Sequence, residues 1–199
     1  GLIHDVGRWV LRQAIADHLR WRALGLPVVR VGVNVSAYRL RRRNFIEEVT
    51  EAIGVDAQAA AGVELEVSES AIMEDVRHSI ATLQAIRALG VPIVIDDFGT
   101  GFSSLSYLSR LPVDTLKIHE SFVSGLTSGP DGLALMSTLI NLGRSLRIAV
   151  VAEGVETEEQ ARLLRLLKCD AMQGFLVSRA LPAADFEAQF LSPPGARRA

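Results

Sequence analysis

Pro92-Ile93-Val94-Ile95-Asp96-Asp97-Phe98-Gly99-Thr100-Gly101 joins a short apolar run to two adjacent carboxylates and a glycine-bounded turn. The apolar run predicts a buried strand, Pro92–Ile95, whose C-terminal tip carries concentrated negative charge. The glycines let the chain turn sharply or let a ligand approach the backbone. Two carboxylates at one strand end repel each other, and burial raises a carboxyl pKa unless a cation neutralises the pair. Hard divalent metals favour such oxygen ligands. The plain alternative is that one Asp caps a helix starting near Ser103-Ser104 while the other is solvated.

Around this segment the chain has the composition of one globular domain. Its 199 residues are 49% hydrophobic and 22% charged, with a formal net charge of -2, which suits a soluble fold with a substantial core. That balance gives no electrostatic reason to expect general nucleic-acid binding. The lone cysteine, Cys169, excludes an internal disulfide framework and a cysteine zinc site, and fits a reducing compartment. No apolar run approaches the roughly 20 residues needed to span a bilayer, and the start lacks a signal-peptide pattern. The expectation is a cytoplasmic protein, or the cytoplasmic portion of a membrane-anchored one.

Strand and helix patterns alternate. Strands are expected at Val29–Val35, Val63–Val67, Pro92–Ile95, Thr115–Ile118, Ile148–Ala152 and Ala171–Phe175. Between them, Val6–Leu24 places Val6, Trp9, Val10, Ala14 and Ile15 on one helical face, and Ile72–Leu89 does likewise through Ile80, Leu83 and Ile86. Leu133–Leu146 and Glu158–Leu167 follow, the latter with a capping box at Thr157 and Gln160. Gly25, Gly54 and Gly90 stand where helices stop. This alternation argues for a parallel sheet. Residues 1–190 read as one domain, and Leu191–Ala199, with its prolines and arginines, as a flexible tail.

Polar groups stand at one end of strand after strand: Asn34 and Ser36, Glu66 to Glu69, Asp96 and Asp97, Lys117, Glu153 and Glu156, and Gln173. In (β/α) barrels that edge is the active-site face, because the loops leaving it converge over one mouth. Singly, each has a bland explanation: Asn34 or Ser68 caps a helix, Lys117 neutralises an Asp. Together they form an amide, several carboxylates and a lysine without a Cys/His cluster, a set that suits Mg2+ or Mn2+ rather than Zn2+. Paired metals roughly 3.5–4 Å apart activate a water and stabilise in-line displacement at phosphorus. Lys117 could neutralise developing charge or orient the attacking water. These residues point to metal-assisted phosphoester hydrolysis.

The segments VNVSAYRL, ELEVSES, DDFGTGFSSLSYLSRLPVDTLKI, VVAEGVETEEQ and MQGF resemble the EAL family, bacterial phosphodiesterases that open cyclic di-GMP to the linear dinucleotide. The resemblance runs in order from about Gly1 to Pro182. It implies an α/β fold, a TIM-like barrel with one antiparallel strand. It places Asn34, Glu66, Asp96, Asp97 and Glu153 at metal positions, and Lys117 as the catalytic lysine beside the nucleophilic water. By the same resemblance Glu69 braces the loop after the Asp-Asp strand, Gln173 lies near that water, and Glu156 is the second acid of Ala-Glu-Gly-Val-Glu.

There are departures from the family pattern. No Glu-Ala-Leu tripeptide occurs in the chain, and six strands are read where the family barrel has eight. The expectation is therefore a barrel incomplete at its N-terminus, with two strands and a metal-binding glutamate upstream of Gly1, and feeble hydrolysis by this stretch alone. His119 replaces the aspartate of Lys-Ile-Asp, Tyr38-Arg39 stands where Arg-Gln is usual, and Ala180 where proline is usual. Arg41-Arg42-Arg43 reads as a solvated turn or a phosphate attractor.

Two other classes are weighed. Asp97-Phe98-Gly99 as a kinase motif fails, because no Gly-rich loop with a strand lysine and no His-Arg-Asp loop accompany it. A catalytically silent module that binds cyclic di-GMP or a protein partner is the stronger rival, and hydrolysis separates it from the enzyme. The resemblance also implies a homodimer and an upstream sensory or diguanylate-cyclase-like domain.

Overall fold

The computed structural model describes residues 2–54, 56–101 and 105–192. In chain order its elements are α1 (Leu2–Ala23), β1 (Val31–Val35), α2 (Ala37–Leu40), α3 (Phe45–Ile53), α4 (Ala57–Ala61), β2 (Val63–Ser68), α5 (Glu69–Met73) and α6 (Val76–Ala88). Then come β3 (Ile93–Phe98), α7 (Leu105–Leu108), β4 (Thr115–Ile118), α8 (Glu120–Gly125), α9 (Pro130–Leu146), β5 (Ala149–Ala152), α10 (Glu158–Leu166), β6 (Ala171–Met172) and α11 (Ala183–Phe186), ending in a π-helical turn, Glu187–Leu191.

All six strands form one parallel sheet in sequential order. Sequential parallel order with helical crossovers is the (β/α)-barrel arrangement, and it brings every strand's C-terminus to one edge. The apolar cores of β2 and β3 are buried, as strands covered on both faces require. β1, β2 and β3 share a core with α1, α3 and α6, and β4 and β5 share a smaller one with α9 and α10. β1 and β6 are the two outer strands, and the antiparallel strand implied by the resemblance is not among the six.

Several boundaries differ from expectation. β3 runs on to Phe98, so Asp96 and Asp97 lie inside the strand rather than beyond it. β6 stops at Met172, leaving Gln173 to Phe175 in the following loop. The helix expected over Ile72–Leu89 is two, because the Asp75 side chain accepts from His78 N at 3.1 Å and starts a new helix there. The buried face of α1 is Leu11, Ala14, Ile15, His18 and Trp21, whereas Val6 and Trp9 are exposed. The Thr157–Gln160 capping box is present in both directions. Gly25, Gly54 and Gly90 all have positive φ at helix ends.

The C-terminal segment returns to α1: the Phe186 and Trp21 rings are 5.6 Å apart, and Glu187 accepts from Arg20 at 2.5 Å and from Trp21 Nε1 at 3.1 Å. Leu191 is buried and Ser192 N donates to Glu187 O at 2.9 Å, so the first two residues of the expected tail are anchored. Pro193–Ala199 and the helix start expected near Ser103-Ser104 lie outside the described residues. No described helix is long and apolar enough to cross a membrane.

Candidate active site

Adjacent residues in a regular strand point to opposite faces, so Asp96 and Asp97 need a backbone device to share one site. β3 supplies it. Its register against β4 shifts between Ile95, paired with Leu116, and Phe98, paired with Ile118. That extra residue is a bulge, which re-aims side chains. Asp97 sits there at φ 55°, a left-handed conformation that Asp and Asn tolerate better than most residues. Asp96, Asp97 and Glu153 consequently each bring a carboxylate oxygen within 4.8 Å of the other two.

Lys117, projecting from β4, holds the cluster together. Its Nζ lies 2.7 Å from Glu153 Oε1, 3.0 Å from Glu66 Oε2 and 3.6 Å from Asp96 Oδ1, with the lysine side chain only 8% exposed. Burial opposes the lysine's charge, but the hydrogen bonds to Glu153 and Glu66 outweigh it and its pKa moves up. Burial likewise pushes Glu66 and Glu153 upward, with Lys117 offsetting only part of that. Three carboxylates thus face one ammonium, with Asp97 beside two of them, a surplus of negative charge that a further cation would relieve. The donors are hard oxygens, so the set fits a divalent metal of the magnesium or calcium type. Three of the four histidines lie apart: His4 against Glu48, His18 Nδ1 2.9 Å from Val29 O, His78 against Thr82.

Gly32 on β1 lies beneath Glu66, where a Cβ would come 2.2 Å from Glu66 Oε1. The sequence reading passed over this residue; a glycine inside an apolar strand is the signal for such a close approach. Gly32→Ala is expected to push Glu66 off Lys117 and lower stability by ~1.5–3 kcal/mol, the contribution of a charge-assisted hydrogen bond, which is several degrees in melting temperature. A melting curve checks it: an unchanged melting temperature would contradict this close approach.

The remaining predicted residues surround this centre. Glu69, buried at the start of α5, accepts from Gly99 N at 2.8 Å and so ties down the turn after the bulge. Thr100 N and Oγ1 both donate to Asp97 O. Gln173 and Glu156 line a cavity of about 260 Å³ together with Asp97, Glu153, His119, Glu120 and Phe175. Asn34 is exposed at the end of β1, in register with Glu66. It lines a second cavity, of about 550 Å³, with Asp96 and Asp97, so Asp97 borders both. Glu120 is an acid the sequence reading missed; its position just past the β4 tip was the available signal.

Two departures from the family pattern, and the arginine run, acquire local explanations. His119 caps α8, its Nδ1 accepting from Ser121 N at 3.2 Å. An aspartate caps equally well, so His119→Asp should leave the melting temperature within about 2 °C, under ~1 kcal/mol for a chain this size, and turnover equal or higher. A drop matching that of His119→Ala would contradict the exchange of one cap for another. Arg39 is buried beside Glu48 at 3.6 Å and over the Phe45 ring at 5.1 Å, and burial lowers its pKa. Arg41 pairs with Glu74 and Arg42 donates to Asn44 at 3.1 Å, so two of the three arginines in this run are engaged by near neighbours.

Comparison with known proteins agrees with this geometry. A family model for the EAL domain matches residues 1–180. The cyclic di-GMP phosphodiesterase NbdA of Pseudomonas aeruginosa is 41% identical over 187 residues, covering 94% of this chain and 24% of that protein. The bifunctional diguanylate cyclase/cyclic di-GMP phosphodiesterase MucR of the same organism is 41% identical over 183 residues, covering 92% and 27%. The chain thus spans about a quarter of the length of these curated relatives. Among solved structures, the PaMucR phosphodiesterase in complex with c-di-GMP superposes with a TM-score of 0.88 at 40% identity, covering 94% of this chain and 75% of that one. The EAL domain of Mycobacterium smegmatis DcpA gives 0.84 at 40% identity, covering 92% and 83%. With a family model spanning nearly all of it and the acidic strand-end cluster on the matching fold, the chain belongs to the EAL domain family.

Proposed function

We propose that this chain carries a metal-dependent phosphodiesterase site that hydrolyses cyclic di-GMP to the linear dinucleotide. The observation that carries the proposal is the group of Asp96, Asp97 and Glu153 carboxylates at the C-terminal edge of a parallel sheet, with the Lys117 ammonium against Asp96 and Glu153. The relatives named for this activity and the complex with c-di-GMP support the choice of substrate.

In this reading Asn34, Glu66, Asp96, Asp97 and Glu153 would hold Mg2+ or Mn2+. A metal held there would supply an activated water and offset charge developing at phosphorus. Water then adds across one P–O bond, its oxygen to phosphorus and its proton to the departing ribose oxygen. Lys117 Nζ, protonated and buried, donates toward the water or the phosphoryl oxygens where negative charge accumulates. Glu153 keeps that ammonium in place, and Gln173 offers an amide at the edge of the same cavity. Glu69, through the Gly99 amide, preserves the turn that presents Asp97. A sensory or diguanylate-cyclase-like domain elsewhere in the same protein, homodimerisation and a cytoplasmic setting belong to the same reading.

A second reading, a receptor that binds the dinucleotide intact, is favoured by the Lys117 contacts themselves. An ammonium touching three carboxylates occupies ground that a metal would use. One assay separates the two. Release of linear dinucleotide with Mg2+ or Mn2+, abolished by EDTA, is expected of the enzyme. Binding without any product in either metal would give the site to the receptor.

A further inference from the structure

The cavity of about 550 Å³ carries opposite charges in its lining: Asp96 and Asp97 on one side, and Arg39 on the other. The Arg39 side chain is only 2% exposed, with Glu48 Oε2 3.6 Å from its Nη2. That carboxylate is shared. Arg8 Nη2 lies 3.8 Å from Glu48 Oε1, His4 Nε2 lies 3.5 Å from it, and Asn44 Nδ2 donates to it at 2.8 Å. Two guanidinium groups therefore face one carboxylate, and Arg8 and Arg42 both stand close enough to repel Arg39.

Hydrogen bonding does not disperse this excess. Arg39 Nε, Nη1 and Nη2 and Arg8 Nε have no hydrogen-bond partner among the described residues. Room for the buried cation is nonetheless built into α1, since a Cβ on Gly7 would lie 2.5 Å from Arg39 Nη1. Arginine keeps its charge when buried, whereas the glutamine usual at this position would fill the same space without one. The nitrogens of Arg39 are covered, so its influence on the cavity runs through space. Protein screens such a charge less than water screens a surface lysine.

We infer that Arg39 strengthens ligand binding from beneath the cavity wall, as a fixed positive charge that offsets the repulsion between the acidic side and the ligand's phosphates. This rests on the cyclic di-GMP reading above and adds a source of attraction for its two phosphodiester charges. Glu48 sets how strongly that charge is felt, so the two residues act on affinity with opposite sign. Neither touches the reacting atoms.

The test is equilibrium binding of cyclic di-GMP in EDTA to this chain and to its Arg39→Gln, Arg39→Lys and Glu48→Gln variants, with melting curves to confirm folding. Arg39→Gln should weaken binding about threefold to tenfold, the scale of one unit charge acting through protein at ~10 Å. Glu48→Gln should tighten binding although it lowers the melting temperature, and Arg39→Lys should stay near wild type. With Mn2+ the same changes should appear in KM, leaving kcat within about twofold. Wild-type affinity in Arg39→Gln overturns the inference, and so does a Glu48→Gln variant that binds no more tightly than wild type, because a packing role weakens binding in both. Should Glu48→Gln fail to fold, the arginine variants decide: an equal loss in Arg39→Lys and Arg39→Gln marks packing rather than charge and overturns it. A wild-type chain that neither binds nor cleaves cyclic di-GMP removes the underlying reading instead.

Discussion

Asp97→Asn is expected to lower cyclic di-GMP hydrolysis by about a thousandfold or more, the scale of several kcal/mol of metal-borne charge stabilisation. The substitution isolates charge from shape. Asn adopts the left-handed conformation that Asp97 holds at φ 55°, and the Thr100 donors bind the backbone oxygen of residue 97 rather than its carboxylate. The bulge should therefore survive while the cluster shared with Asp96 and Glu153 loses one negative charge. Initial rates at saturating Mn2+, paired with a Mn2+ titration, read the effect. A variant within tenfold of wild type would contradict a metal role for Asp97.

The second large effect is expected at Lys117. Removing the ammonium from Glu66, Asp96 and Glu153 leaves three neighbouring carboxylates facing one another. Taking one partner from a buried ion pair costs about 3–5 kcal/mol. Here the carboxylate side chains keep 11–17% of their exposure, so a loss of about 2 kcal/mol, or roughly 4–8 °C in melting temperature, is the better expectation in EDTA. A divalent cation should recover more stability in Lys117→Ala than in wild type, because it finds the surplus charge uncompensated. Turnover should fall far more than dinucleotide affinity, since the ammonium acts where charge develops. Equal losses in binding and turnover would mark Lys117 as a ligand-binding residue instead.

What could be read from the sequence follows from how each feature is encoded. The parallel sheet was legible because buried parallel strands are nearly continuous apolar runs, as at residues 93–95 and Ala149–Ala152. The acids were legible because they recur at successive strand tips. The bulge was not, since pairing register leaves no mark in a chain read alone; only the adjacency of Asp96 and Asp97 hinted that something must turn one of them. The face of α1 was misjudged because its first half is apolar on several sides, with Leu2, Ile3, Val6 and Trp9 all exposed in the structure. The short helices α2, α4 and α8 span four to six residues, too little for a 3.6-residue period to show. What Gly32 faces, Glu66 on the neighbouring strand, is decided by strand pairing, which the chain read alone does not show.

The central claim is that Asp96, Asp97 and Glu153 form the metal centre of a phosphodiesterase. It is tested most directly by locating Mn2+ through its anomalous scattering in crystals of this chain grown with the ion. The account predicts a peak within coordination distance of the Asp96, Asp97 and Glu153 carboxylates, lost in Asp97→Asn. Manganese bound elsewhere, or no peak at these carboxylates with the ion in excess, would contradict it.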